Sequence, residues 1–290
     1  MNETIFIILP VHNRSRVTAG FIDSLLAQSD RNYQLLLVDD GCTDDTVEMV
    51  AARLPDVTVI HGDGQLWWAA SVQKGIDWLV EHAVSTDSIV LIANDDTTFG
   101  SELLANARSY LAAHQGVMLQ AVPVDPATEQ VLDRGISIDW LRFRMGPAMP
   151  GAEIDCLATR CLFSRLADVM ATGGFRRRFL PHYFSDYEFT IRAKRSGIRL
   201  ATSDEVRIVV SHGTTGIRSV QSMTLRQYVL AAYSRRNTGN PFYSSIFVLL
   251  AAPVKYLPVC LVRIWGNHLL ELFRSLRFSL RSSGSPVNLP

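Results

Sequence analysis

Through the first 122 residues, short apolar runs alternate with stretches of helical periodicity. Thr4–Leu9 (TIFIIL) is β-branched and unbroken, as expected of a strand buried on both faces. Over Ser15–Ala27, Val17, Phe21 and Leu25 recur at helical spacing behind Asn13. Tyr33–Val38 (YQLLLV) predicts a second strand. Thr43–Leu54 predicts a helix with Thr43 as N-cap and acids in its first turn. The alternation continues with a strand at Val57–Ile60, a helix at Trp68–Ala83 and a strand at Ser88–Ala93. A helix at Ser101–Ala113 and a strand at Val117–Val122 follow. Strands alternating with helices of 10–15 residues predict an α/β fold, a mostly parallel sheet with helices on both faces.

Ligands of such sheets sit outside the carboxyl ends of the strands, so the residues there carry the candidate chemistry. The first strand runs into Pro10-Val11-His12-Asn13-Arg14 and the second into Asp39-Asp40-Gly41. The third runs into His61-Gly62-Asp63-Gly64 and the fourth into Asn94-Asp95-Asp96. A single aspartate after a strand commonly forms a turn or a cap. Several on one edge repel one another, and such a gathering suits a divalent cation or the donor groups of a ligand.

Several familiar motifs are excluded. Gly62-Asp63-Gly64 begins like a dinucleotide fingerprint, but Trp67 stands where its third glycine belongs and it follows the third strand. The chain has no GxxxxGK[ST] phosphate loop, no GxSxG elbow and no HExxH. Cys42, Cys156, Cys161 and Cys260 form no CxxC pair, which argues against a thiolate zinc cluster and for reduced cysteines of a cytosolic protein.

Composition adds an asymmetry. The 290 residues carry 28 Lys+Arg and 28 Asp+Glu. From Val206 onward, ten Lys and Arg face Glu271 alone, so this tail is +9 and residues 1–205 are −9. The hydrophobic content of 48% is ample for a core and excludes global disorder. The run Ile246–Val262 is broken by Pro253, Lys255 and Pro258, short of a clean span of about 20 residues. It reads as an interfacial or re-entrant segment or a buried helix pair. Beyond it, Trp265, Leu269, Leu272, Leu276 and Leu280 recur at helical spacing, with Arg274, Arg277 and Arg281 on another face. That is a basic amphipathic helix suited to a bilayer interface, or to docking on the protein's own body or a second subunit. The basic segment lacks exposed stacking groups, so no nucleic acid is expected.

Taken together, four pieces resemble glycosyltransferase family 2, whose members have the GT-A fold, a Rossmann-like mixed sheet with helices on both faces. They are Leu9–Arg14, Val38–Asp44, Asn94-Asp95-Asp96, and Asp186-Tyr187-Glu188 with Arg192 after it. Each is weak alone; their order and separation are specific, over about Thr4–Thr215. Gly64-Gln65-Leu66-Trp67-Trp68 and Leu180-Pro181-His182-Tyr183 are similar to the rhamnosyltransferase-like subgroup of bacterial surface-polysaccharide enzymes.

The resemblance implies a GT-A domain over residues 1–215, and the basic amphipathic pattern beyond it predicts a helical, membrane-associating extension over 216–290. It implies that Pro10, His12, Asn13, Arg14, Asp39 and Asp40 hold the donor's base and ribose, with Asp40 the preferred base reader. Asp39 either shares that role or is structural. Asn94-Asp95-Asp96 occupies the family's DXD position, with Asn for the first acid. Asp96 then becomes a metal ligand, and Asp95 contacts ribose or a metal-bound water. His212 in Ser211-His212-Gly213 is similar to the family's second metal ligand. The cation would be Mg²⁺ or Mn²⁺.

Asp186 is implied as the catalytic base, the alternative being a helix N-cap. Gly64 and Trp67 fall to the donor pocket, and Trp68, Gly174, Tyr183 and Glu188 to the acceptor side. The adjacent tryptophans do not share a helix face, so the expectation is that one buries while the other stacks on a sugar or closes the donor pocket. Glu188 either orients the acceptor or begins a helix. Arg176-Arg177-Arg178 is either a contact for a lipid pyrophosphate or solvated surface.

The implied activity is inverting, metal-dependent transfer from a nucleoside-diphosphate sugar, dTDP-rhamnose or a UDP-sugar, to a saccharide or lipid-linked acceptor. The place implied is the inner face of the cytoplasmic membrane, with a homo-oligomer possible. Two alternatives stand beside it: a sugar-phosphate nucleotidyltransferase, and a non-catalytic nucleotide-binding protein at the membrane.

Overall fold

The computed structural model describes residues 3–210, 224–235 and 237–283. Its described residues group into two compact units. The first is 1–138 with 145–214, and the second is 139–144 with 215–290.

In the first unit the chain alternates as its sequence predicts. β1 (Ile5–Val11), α1 (Ser15–Leu26), β2 (Tyr33–Asp39), α2 (Thr46–Arg53), β3 (Thr58–His61), α3 (Trp67–Glu81) and β4 (Ile89–Ala93) follow in order. After them come β5 (Thr97–Thr98), α4 (Leu103–Ala113), β6 (Val117–Val124), β7 (Ile136–Asp139) and β8 (Arg144–Pro147). β9 (Cys161–Arg165), α5 (Leu166–Thr172), α6 (Ser185–Arg195) and β10 (Arg199–Val210) complete it.

The central sheet runs β3-β2-β1-β4-β9-β6-β10-β5. It is mixed, as the GT-A resemblance implies, rather than mostly parallel as the alternation of strands and helices alone predicts. β9 lies antiparallel between β4 and β6, and β5 antiparallel against β10. The remaining neighbours are parallel.

The pleat explains the unbroken apolar strands, because alternate residues of β1 enter different cores. Ile5, Ile7 and Leu9 meet Phe21, Ile22 and Leu25 of α1. Phe6 and Ile8 meet Val72, Ile76 and Leu79 of α3. Each such side chain, once fully buried, contributes about 1.5–3 kcal/mol. α2 begins three residues later than the sequence predicts, and Thr43 is not its cap. Asp44 Oδ1 instead accepts the Thr46 N–H at 3.2 Å and the Thr46 hydroxyl at 2.5 Å.

In the second unit, α7 (Leu225–Ala232), α8 (Pro241–Ala251) and α9 (Leu257–Ser283) pack together. Asn240 caps α8 by accepting from Phe242 and Tyr243 N–H, and Pro241 fits the first helical position. The run Ile246–Val262 is a helix pair, packed through Val248, Ala252, Cys260 and Ile264. Among the described residues no helix is long and apolar enough to cross a membrane.

Candidate active site

The parallel strands β1, β2, β3 and β4 all end on one edge of the sheet, and their loops are tied to one another there. Asn13, in a left-handed conformation (φ 52°), accepts on Oδ1 from the N–H groups of Thr43 and Asp44 at 2.6 and 3.2 Å. His12 Nδ1 donates to the Asp40 carbonyl at 2.7 Å. Pro10 is inside β1, paired with Val38. Asp40 accepts the N–H groups of Leu66 and Trp67 at 3.1 Å each, one on each carboxylate oxygen. It thus holds the start of α3, the interaction of a carboxylate with a helix N-terminus.

Asp39 Oδ1 accepts from the Cys42 N–H at 2.7 Å, and Oδ2 lies 3.0 Å from His61 Nδ1. Burial works to raise its pKa, but the bonds from Cys42 and His61 outweigh burial and hold it below the usual carboxylate value.

Gly41 (φ 74°) and Gly64 (φ 81°) bring the loops after β2 and β3 into contact. A side chain on Gly41 would put its Cβ 2.8 Å from Gly64 Cα, whereas at Gly64 the nearest atom is 3.9 Å away. Gly41→Ala is therefore expected to cost about 2–3 kcal/mol, from backbone strain plus overpacking, and Gly64→Ala about 1 kcal/mol. Urea unfolding of the two variants checks that order.

At the tip of β4, Asp95 is buried and accepts from Thr18 Oγ1 at 3.1 Å, with Arg14 Nη1 at 3.0 Å from its other oxygen. Burial pushes its pKa up to about 6; Arg14 opposes the shift and Asp96 adds to it. Asp96 is more open, with Oδ2 3.4 Å from Arg14 Nη2. The two oxygens of Asp96 suit Mg²⁺ or Mn²⁺, which take one or two carboxylates and complete their shell with phosphate and water. Asp96 would hold the ion, which would neutralise a diphosphate. Among the described residues no three His, Cys, Asp or Glu side chains are grouped to hold a metal by themselves. His212 lies outside the described residues.

The direction of β9 brings a further acid to this edge. Ala93 pairs with Cys161 across the antiparallel β4–β9 ladder, so the residues before β9 lie beside those after β4. Accordingly the Asn94 N–H donates to the Arg160 carbonyl at 2.9 Å. Asp186, in the first turn of α6, accepts a backbone hydrogen bond from Thr159 and feels the Arg160 guanidinium. Protein surrounds this carboxyl on most sides while part of its surface stays open. Its burial pushes the pKa up to about 6 against those partners. Asp186 is not the N-cap of α6: Phe184 holds that position at φ 65°.

The acceptor-side residues separate. Tyr183 lies edge-on to His182, 4.5 Å between ring centroids, and His182 lies edge-on to Trp67 at 5.9 Å. The Ala69 N–H donates to the Pro181 carbonyl at 3.0 Å, which fixes this loop over the start of α3. Trp68 turns inward; its Nε1 donates to Asn94 Oδ1 at 3.0 Å and its ring meets Phe175 edge-on.

Glu188, which the resemblance assigns to the acceptor side, is held inside the protein by arginines. Its carboxylate is 2% exposed and receives Arg192 Nε and Nη2 at 2.9 and 2.8 Å, with Arg176 Nε at 3.3 Å. Gly174 is likewise a packing position. Gln73 fills the space a side chain would need, and the Gly174 carbonyl accepts from Arg192 Nη2 at 2.8 Å. Thr18 and Arg160 belong to the site and carry no sequence signal of their own; the register of β9 assigns Arg160.

Comparisons with known proteins bear on the family and the fold. The profile described as Glycosyl transferase family 2 matches residues 6–165. A PGL/p-HBAD biosynthesis glycosyltransferase of Mycobacterium tuberculosis is 25% identical over 138 residues, 46% of this chain and 49% of that one. The glycosyltransferase GlyG of Streptococcus pneumoniae is 26% identical over 99 residues, 33% of this chain and 31% of that one. The chain thus spans about half the length, or less, of the curated relatives it matches.

Among solved structures, the mannosyltransferase PcManGT of Pyrobaculum calidifontis, in complex with GDP-Man and Mn²⁺, superposes with a TM-score of 0.60 at 16% identity. The match covers 99% of this chain and 77% of that one. TarS of S. aureus gives a TM-score of 0.57 at 15% identity, covering 94% and 81%. These likenesses give the GT-A fold. The profile match extends over more than half of the sequence, from the first strand to the end of β9, and the chain belongs to glycosyl transferase family 2.

Proposed function

We propose that the protein is an inverting glycosyltransferase that moves a sugar from a nucleoside-diphosphate sugar to a hydroxyl of a saccharide or lipid-linked acceptor. The observation that carries this reading is the β4–β9 pairing, which brings Arg160, and with it Thr159, the backbone partner of Asp186, against Asn94 at the start of the loop bearing Asp95 and Asp96. The donor lies along the ends of β1, β2 and β4, with Asp40 and the loops it braces around the base. Asp96 would hold the divalent cation, Mg²⁺ or Mn²⁺, which would supply positive charge against that of the departing diphosphate. Arg14, bridging Asp95 and Asp96, adds a fixed positive charge at the same place.

Asp186 takes the proton of the acceptor hydroxyl as the new bond forms. A base with pKa near 6 is ionised at neutral pH and still basic enough to share the proton in the transition state. A single displacement inverts the anomeric carbon and needs no covalent intermediate. The motifs at 64–68 and 180–183 favour the rhamnosyltransferase-like subgroup, with dTDP-rhamnose or a UDP-sugar as donor. On this reading the product is a surface polysaccharide assembled at the cytoplasmic face of the membrane.

The test is release of nucleoside diphosphate from a panel of nucleotide sugars with Mg²⁺ or Mn²⁺. Release of pyrophosphate instead would identify a nucleotidyltransferase and contradict the reading. The pH dependence has a defined sign. kcat is expected to fall about tenfold per pH unit below about 6, as Asp186 is protonated, and to level off above it. A profile flat between pH 5 and pH 8, on the order of no change at all, would contradict the base assignment.

A further inference from the structure

In the second unit, α9 is buried on one side only. Its inner face carries Cys260, Ile264, His268 and Ser275, all buried. His268 is hydrogen-bonded to the hydroxyls of Tyr228 at 2.8 Å and Tyr233 at 3.0 Å, and Ser279 Oγ accepts from the Leu225 N–H at 2.8 Å. The outer face carries Val262, Leu269, Phe273, Leu276 and Leu280, between 39% and 72% exposed. At 3.6 residues per turn these five fall within an arc of about 60°, and they run along about 27 Å of helix. Arg263, Arg274 and Arg277 follow on one flank of this stripe.

We infer that this face of α9 binds the surface of a bilayer carrying anionic headgroups, lying in the plane of the interface rather than across it. This goes beyond the transferase reading and stands without it. Three observations select this occupant. The stripe is continuous and apolar over five turns, too extended for scattered surface residues. It is one-sided: the opposite side packs on α7 and α8, so the helix has an interfacial character and not a spanning one.

The third observation is charge. Between Thr224 and Ser283 the sequence has eight Lys and Arg against one acid. That acid, Glu271, already pairs with Arg274 at 2.6 Å. A second copy of this segment would bring no free carboxylate to face the arginines, whereas anionic headgroups supply that charge along the whole stripe.

The experiment is co-sedimentation of the full chain with vesicles of phosphatidylcholine alone or mixed with phosphatidylglycerol. The chain is expected to pellet with the mixed vesicles, and far less with the neutral ones. Salt at about 0.5 M should weaken the binding, because the headgroup attraction is then screened. Phe273→Asp, at a site 59% exposed, should leave Tm unchanged and lower binding at least tenfold. The pair Arg274→Gln with Arg277→Gln should also lower binding at least tenfold, and only on the anionic vesicles. Failure to pellet with either vesicle, or variants that pellet like the parent, would overturn the inference. So would a dimer dissolved by Phe273→Asp in a chain that ignores vesicles, which would assign the stripe to a second copy. Sugar transfer is not read in this experiment, so its outcome leaves the transferase reading untouched.

Discussion

Asp186→Asn is expected to lower kcat by about 10²–10⁴-fold, the range that loss of a general base costs, while donor binding stays within about twofold. The asparagine keeps the shape and an oxygen that accepts the Tyr187 N–H, which the aspartate accepts at 2.9 Å. It cannot take a proton.

The same substitution is expected to stabilise the fold. In the native state the Asp186 carboxyl titrates near 6 instead of at its ordinary value of 3.8. The folded protein therefore holds this proton more tightly than the unfolded chain, and the ionised form costs stability at neutral pH. That cost is complete above about 6 and disappears as pH falls below the ordinary carboxylate value. Because the carboxyl keeps part of its surface, the relief on mutation is about 1–2 kcal/mol, or roughly 2–8 °C in Tm. The difference between Asp186→Asn and the parent should shrink as the pH is lowered through about 6 and vanish near about 3, where both states are protonated. Loss of turnover together with a rise in Tm is what a strained functional acid predicts. Loss of turnover with a fall in Tm would mark a structural residue.

Glu188→Ala is expected to have the opposite character, a loss of stability of about 3–5 kcal/mol and a fall in Tm on the order of 10 °C or more. Glu188 is the buried counter-charge of Arg192, and Arg192 also reaches the carbonyls of Thr172 and Gly174. This cluster ties α6 to the turn after α5, and so sets the height at which Asp186 enters the site. Removing the glutamate leaves the half-buried Arg192 guanidinium without its carboxylate, which costs far more than the intact pair contributes. A Glu188→Met, Arg192→Met double variant should recover part of the loss, because it removes both charges together. Differential scanning calorimetry decides the matter. A variant at position 188 with unchanged Tm and a raised acceptor KM would return this residue to the acceptor site.

The contrast between Asp186 and Glu188 shows what the sequence carried and what it did not. Two positions apart on one helix, both are acids within a motif, and only their surroundings separate them. The apolar runs of β1, β2 and β4 were legible because each strand is buried on both faces, which leaves a continuous signal. The convergence of Asn13, Asp40 and Asp96 follows from parallel strands ending on one edge, so topology alone exposed it.

β9 was not legible. Cys161-Leu162-Phe163-Ser164-Arg165 is five residues long and has no β-branched side chain, and its place is set by ladders to β4 and β6 formed from distant segments. With β9 missing from the strand pattern, the alternation alone read as a mostly parallel sheet, the mixed sheet came only from the GT-A resemblance, and the neighbourhood of Arg160 was hidden. Trp67 and Trp68 were recognised as a pair with different fates. Their division came from Asn94, whose side-chain oxygen takes the indole N–H of Trp68. That bond also gives the asparagine at the start of Asn94-Asp95-Asp96 a structural duty.

The central claim is that the ends of β1, β2 and β4 hold a nucleotide sugar through a cation on Asp96. Thermal shift across a panel of nucleotide sugars, with and without Mn²⁺, measures this directly. At a ligand concentration about 100 times Kd the fold gains about 2.7 kcal/mol, a shift of several degrees. The account predicts such a shift for at least one nucleotide sugar in the presence of Mn²⁺, reduced to near zero by chelation or by Asp96→Asn. A nucleotide-dependent shift that is the same in Asp96→Asn, or no shift with any nucleotide sugar, would contradict it.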